Sequence, residues 1–283
     1  MKIAITGTRG RVGGALADHL RKAGHDVIAL TRQDVPLDHP PLLREAISSI
    51  DADCWINPAA MSSPDACEQD PLTSHAVNAL APSIMAQACR QHDRYLLHFS
   101  TDYVFSGKET GKRQELDVTE PINAYGKHKR EGEEAVLASG ARAAVLRVSW
   151  VYGAEVPAFV EQCLQRLSTG ETIQAIDDKW SIPTAMPDLC QWVEHILHQQ
   201  PSAVLHGCHA GDPVSWHGIA THLRDTHMPD SASEIRATSL AEASHFVAKR
   251  PVHTAMAHQL LSGLLPHPIE DWRAAMARVI SQA

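Results

Sequence analysis

Residues 2–14, KIAITGTRGRVGG, decide the fold. Lys2 to Thr6 is a short apolar run of the kind that forms a buried strand. It runs straight into a glycine-rich turn, and Val12, Leu16 and Leu20 then recur at helical spacing. A strand, a glycine turn and a helix in that order form the opening of a dinucleotide-binding unit. Gly7, Gly10 and Gly13 permit a tight turn, close approach of backbone N–H groups to a pyrophosphate, and close packing of helix on strand.

The pattern repeats outward from that stretch. Residues 26–32, DVIALTR, predict a second strand, 42–50 a helix, and 52–60, ADCWINPAA, a third strand running into a loop. A helical region interrupted near Asp70-Pro71 follows, then a fourth strand over 94–107 and a fifth over 141–153. Alternation of this kind predicts an α/β, doubly wound, parallel Rossmann-type sheet. Residues 1–153 are expected to form the NAD(P)-binding domain. Residues 154–283 are expected to form mainly a smaller C-terminal substrate lobe, with some segments returning to the sheet. The polar loop 106–122 reads as flexible.

The second strand ends in Thr31-Arg32 with no carboxylate before Asp34. A carboxylate there would clasp the ribose hydroxyls of NAD. Arg32, assisted by Arg9, suits a 2′-phosphate instead, so NADP is expected, NADPH in its reduced form, with NAD as the alternative. Asp38 is placed near the adenine. Small residues after the third strand, including Ala59 and Ala60, let a cofactor lie against that strand end. Ser100, Thr101 and Asp102 stand at the carboxyl end of the fourth strand, where ligands bind in open parallel sheets.

Tyr125 and Lys129, in NAYGKHKREGEEA (123–135), lie four residues apart and share a helix face. A phenol beside an ammonium is a proton donor whose pKa the cation lowers. That suits acid/base work on a carbonyl or alcohol.

Composition bounds the rest. The chain has 283 residues, 44% hydrophobic and 20% charged, with a net charge of -8. These values predict a globular protein with no nucleic-acid partner and no membrane partner. No apolar run is long enough to span a bilayer. The N-terminus reads directly as strand, so a cytoplasmic location is the expectation. Six scattered cysteines read as buried thiols. Of the 18 histidines, the closest grouping is His206, Cys208 and His209, whose adjacent spacing is awkward for a shared metal; no metal is expected.

The glycine turn, STDYVFSG (100–107), YGKHK (125–129), RVSWVYG (147–153), DDKWSIPT (177–184) and RPVH (250–253) occur in one order. Together they resemble the extended short-chain dehydrogenase/reductases, and more narrowly the dTDP-4-dehydrorhamnose reductase family, over nearly the whole chain. The resemblance implies NADPH-dependent reduction of the 4-keto group of a nucleotide-linked deoxysugar, and a homodimer as an open expectation. It implies Tyr125 as proton donor, Lys129 as the residue that lowers its pKa and bonds the nicotinamide ribose, and Thr101 as the third member of the triad. Gly10, Arg11 and Val12 match the pyrophosphate turn; Ala59, Ala60 and Met61 match the loop beneath the cofactor. Asp102, Trp150 and Arg250 match positions near the sugar. Asn78 matches a recurring asparagine, read either as a direct contact or as a support for neighbouring backbone.

The chain departs from the family pattern at NPAAMSSPDACE (57–68), at His128 before the lysine, at Asp178-Lys179, and at His253-Thr254. These departures bear on the substrate's identity. The same resemblance extends to the NADP-binding regulatory subunit of methionine adenosyltransferase, a non-catalytic alternative; Thr101 and Trp150 favour the enzyme. An epimerase or dehydratase would need NAD held tightly, and a dehydratase would also want acidic partners beside Thr101; Asp102 is followed by Tyr103 rather than a second carboxylate.

Overall fold

The computed structural model describes residues 1–282. Six strands form one parallel sheet: β1 (Lys2–Ile5), β2 (Asp26–Ala29), β3 (Cys54–Asn57), β4 (Tyr95–Thr101), β5 (Ala143–Val148) and a late strand (Val204–Gly207). Every pairing is parallel, in the order β2-β1-β3-β4-β5 with the late strand beyond β5. The connections reverse direction between β1 and β3, so a crevice opens there at the strands' carboxyl ends.

Helices cover both faces. They are α1 (Arg11–Lys22), α2 (Pro40–Ser49), α3 (Pro64–Gln69), α4 (Pro71–His75), α5 (Ala81–Gln91) and α6 (Ala124–Ala138). All seven residues of β4 are buried, as a strand covered on both faces must be. Leu16 and Leu20 of α1 are fully buried against the sheet, whereas Val12, expected on the same stripe, is only partly buried and faces the crevice.

The chain then alternates short strands and helices: β6 (Val151–Tyr152), α7 (Phe159–Thr169), β7 (Ile173–Ile176), β8 (Trp180–Ser181), β9 (Thr184–Ala185) and α8 (Met186–Gln199). The late sheet strand, β10, precedes β11 (Val214–Ser215), α9 (Trp216–His227), β12 (Ile235–Thr238), α10 (Gln259–Leu264) and α11 (Trp272–Gln282). Leu189, Val193, Ile196 and Leu197 of α8 join the core cluster that holds α1 and the sheet. A second cluster, with Ile173, Ile219, Leu223 and Trp272, sits beyond the sheet. No helix among the described residues is long and apolar enough to cross a membrane.

Strand ends fall short of the sequence expectation. β2 stops at Ala29, β3 at Asn57 and β4 at Thr101, where Asp102–Val104 turn into one 3-10 turn. Past these points each chain leaves its sheet neighbours to build the crevice rim. The loop expected to be flexible is tied down instead. The Arg113 amide donates to Ala255 O at 2.8 Å, Ala257 N to Arg113 O at 2.8 Å, and His253 N to Gly107 O at 3.1 Å.

Candidate active site

The crevice is a cavity of about 890 Å³, within the size range of small-molecule sites. Its cofactor-side wall is mostly backbone. The Gly10 amide donates to Gly7 O at 2.9 Å, closing the turn that leads into α1. A Cβ on Gly13 would stand 2.4 Å from Gly7 O, so only glycine lets the helix start this close to the turn. Gly10 caps α1 without any side-chain hydrogen bond, and no acidic residue lies in the first turn. The free N–H groups and the positive helix end fit a diphosphate.

Two predicted residues act here in ways the sequence did not show. The Arg11 guanidinium donates to Val156 O at 2.9 Å and Pro157 O at 2.6 Å, strapping that loop over the start of α1. Arg32 lines the cavity but pairs with Asp38, which also lines it. Asp34 takes the Thr31 hydroxyl at 2.7 Å and the Thr31 amide at 2.8 Å, and these bonds hold its carboxyl below the usual range. The nearest carboxylate after β2 is therefore engaged by its own turn rather than offered to a ribose.

Ala59, Ala60 and Met61 form the floor. Asn78 lies on a π-helical turn, Ala76–Leu80, and brackets Met61: Met61 N donates to Asn78 Oδ1 at 3.1 Å, and Asn78 Nδ2 donates to Met61 O at 3.0 Å. Of its two readings, Asn78 takes the supporting one.

Thr101, Tyr125 and Lys129 converge from β4 and α6. Asn123 caps α6, accepting from Gly126 N at 2.8 Å. A Cβ on Gly126 would meet Tyr103 O at 2.2 Å, so a glycine here brings α6 down onto the turn after β4. Tyr125 and Thr101 meet across that contact, both lining the cavity with Lys129. Tyr103 packs edge-on against the Tyr125 ring, centroids 5.7 Å apart.

Lys129 does not act on Tyr125 in the way the spacing suggests. Its Nζ donates to Phe99 O at 2.6 Å and lies 3.3 Å from His98 Nε2. Burial pulls its pKa down to about 8, opposed by the Glu133 carboxylate. His98 is itself held neutral by burial and by Lys129, and its other ring nitrogen meets Asn57 Nδ2 at 3.1 Å. Burial pushes the Tyr125 phenol above its ordinary pKa, and the hydrogen bond from Thr101 opposes this. Desolvation outweighs that bond, so the phenol keeps its proton at neutral pH.

Behind Asp102 on the opposite wall lies a buried polar cluster. Thr101 Oγ1 donates to Asp102 Oδ1 at 3.2 Å, and Ser181 Oγ to Asp102 Oδ2 at 3.2 Å. Thr254 also donates to Asp102 Oδ2 and accepts from Lys179 Nζ at 3.4 Å. Burial raises the Asp102 carboxyl, Lys179 and the hydroxyls opposing, and burial lowers Lys179 to about 8. The Lys179 ammonium stands over the rings of Tyr103 and Trp150, 4.9 and 5.6 Å from their centroids. Trp150 is held at φ 45°, a left-handed conformation that costs a non-glycine residue about 1–3 kcal/mol. It turns the indole toward the cavity, 5.4 Å from Trp216, which stacks on Phe159 at 5.7 Å.

Of the residues read toward the site from the sequence, Arg250, Arg9 and Asn78 do not line the cavity; the others do. Arg250 is locked to Asp65, Nη2 to Oδ2 at 2.6 Å, over the Phe246 ring. His128 bonds Ser74 at 2.8 Å and is not among the cavity-lining residues. The reading from sequence missed the roles of Lys179, Ser181, Thr254, Phe159 and Trp216. Lys179 and His253-Thr254 carried a signal as departures from the family pattern; the two aromatics carried none. His206 bonds Ala257 O, Cys208 Sγ bonds Met256 O and His209 bonds Glu270 O, three separate backbone contacts.

Comparison with known proteins follows this geometry. The family model described as RmlD substrate binding domain matches residues 1–283. A dTDP-4-dehydrorhamnose reductase of Mycolicibacterium smegmatis is 34% identical over 286 residues, covering 99% of this chain and 85% of that one. A probable dTDP-4,6-dihydroxy-2-methyloxan-3-one 4-ketoreductase of Streptomyces antibioticus is 32% identical over 278 residues, covering 98% and 93%. The crystal structure of dTDP-4-dehydrorhamnose reductase from Bacillus anthracis, in complex with NADP, superposes with a TM-score of 0.92 at 24% identity, covering 100% of both chains.

Proposed function

This chain belongs to the RmlD substrate binding domain family, and from that premise we propose that it is an NADPH-dependent reductase of a nucleotide-linked 4-keto-6-deoxysugar. The observation that carries the reading is the meeting of Tyr125, Thr101 and Lys129 in one cavity with an uncapped helix start and a glycine turn. The curated relatives' names point to the same class of reaction.

NADPH, when bound, supplies the hydride. The residues of the chain do the rest. The turn and the α1 N-terminus would hold the diphosphate, and Thr31 and Arg32 the 2′-phosphate, for which Arg32 would leave Asp38. Lys129, one helical turn from Tyr125, faces the nicotinamide ribose. Thr101 and Tyr125 hold the keto oxygen between their hydroxyls. As that oxygen gains electrons, Tyr125 passes its proton to it. An alkoxide is a far stronger base than a phenolate, so a phenol kept protonated by burial is a competent acid at neutral pH. The aromatic group of Trp150, Trp216 and Phe159 offers faces to the sugar and base.

In this reading residues 1–153 serve the cofactor, 154–283 mainly the substrate, and the protein works in the cytoplasm. The test is to mix the protein with NADPH and a panel of nucleotide-linked 4-keto sugars and follow the loss of NADPH absorbance. Turnover of at least one is expected. Tight NADPH binding with no turnover of any would turn the reading to a non-catalytic regulatory binder.

A further inference from the structure

We propose that the outer end of α1 and one face of α8 carry a site for a transition-metal cation, zinc foremost, with His25, Glu194 and His198 as ligands. His25 comes from the turn after α1. Glu194 and His198 are four residues apart on α8 and so share a face. Their ligand atoms lie within 4.8 Å of one another, the one such group among the described residues. The His25 and His198 rings are 5.9 Å apart between centroids, with 48° between their planes. His198 is exposed and the other two are half-buried, which leaves their side chains room to turn toward a shared ion.

Two imidazoles and one carboxylate make a donor set suited to Zn²⁺, with a fourth position for water. His25 Nδ1 lies 3.4 Å from the Met1 amino group, so Nε2 is the ring atom left for an ion. His19 of α1 sets its Nε2 2.9 Å from Glu194 Oε2, fixing the carboxylate from outside as second partners of metal ligands do. None of these four residues lines the active-site cavity. A cation here would fasten α8 to the α1–β2 turn, a stabilising role separate from the chemistry. The sequence reading expected no metal and carried no signal for this group, since His19 and Glu194 are 175 positions apart.

The test titrates tag-free protein with Co²⁺ and follows the visible absorption of a four- or five-coordinate ion. One Co²⁺ per chain is expected, displaced by Zn²⁺. The band should vanish in His25→Ala and in His198→Ala. It should persist in His195→Ala, on the same helix but facing a different cleft. Melting curves supply a second readout. Zn²⁺, compared with a chelator, should raise the wild-type midpoint and leave that of His198→Ala unmoved. The absence of such a band in wild type, or its survival in both His25→Ala and His198→Ala, would overturn the proposal.

Discussion

The two walls of the active-site cavity are made of different material. The cofactor wall is backbone: a glycine turn, a helix start without a cap, and small residues after β3. The sugar wall is side chain: Asp102, from the turn after β4, lines the cavity and is held from behind by Ser181 of β8 and by Thr254 from the segment after β12, to which Lys179 bonds in turn. The turn and helix start of the backbone wall are local, set by contiguous residues 2–14. A side-chain wall depends on three distant segments meeting, and its buried charges are stable only while they meet.

The sharpest way to break this contrast is at Lys179. Lys179→Met removes the cation whose field opposes the burial of Asp102 and leaves Pro251 O and Thr254 without their donor, and a buried polar group left unsatisfied costs about 1–3 kcal/mol. Urea unfolding of the cofactor-free protein should show that loss. Asp102→Asn combined with Lys179→Met should recover part of it. If Lys179→Met unfolds like wild type, the sugar wall does not rest on its charges.

Gly13→Ala tests the other wall. The added methyl meets Gly7 O, and overpacking of this kind costs about 1–3 kcal/mol. NADPH affinity measured by fluorescence titration should fall with it, while Lys179→Met leaves NADPH affinity near wild type. Equal losses of NADPH affinity in the two variants would erase the distinction between the walls.

Lys129 stands where the walls join. Its ammonium form prevails below about pH 8 and is lost above it. The reductase kcat/KM, which reports the free enzyme, should therefore fall as pH rises through about 8. A flat profile from pH 7 to 9 would remove the charge of Lys129 from the account. Arg32→Ala carries the smallest effect. Losing one exposed charged contact to the 2′-phosphate should raise KM for NADPH roughly tenfold, from about 1.5 kcal/mol, with KM for NADH unchanged.

The contrast also explains what could be read from the chain. The strand, glycine turn and helix of residues 2–22 are contiguous, and their roles follow from spacing alone. Tyr125 and Lys129 were legible because one helix carries both. The direction of the Tyr125 shift was not, because it depends on how deeply α6 is pressed onto the turn after β4, a property of packing. Arg250 was placed near the sugar from its motif, yet Asp65, 185 positions away, holds it elsewhere. The left-handed Trp150 and its partners Trp216 and Phe159 arise from the junction of β5 with the second lobe, and no local pattern announces them.

The most direct test is Tyr125→Phe with the keto sugar that the panel selects. Removing one hydroxyl should lower kcat by about 10²–10⁴-fold, the usual worth of a positioned acid, while the dissociation constant for NADPH stays at the wild-type value. A variant that turns over at the wild-type rate, or one that loses NADPH binding in step with kcat, would contradict a phenol that donates its proton to the sugar oxygen.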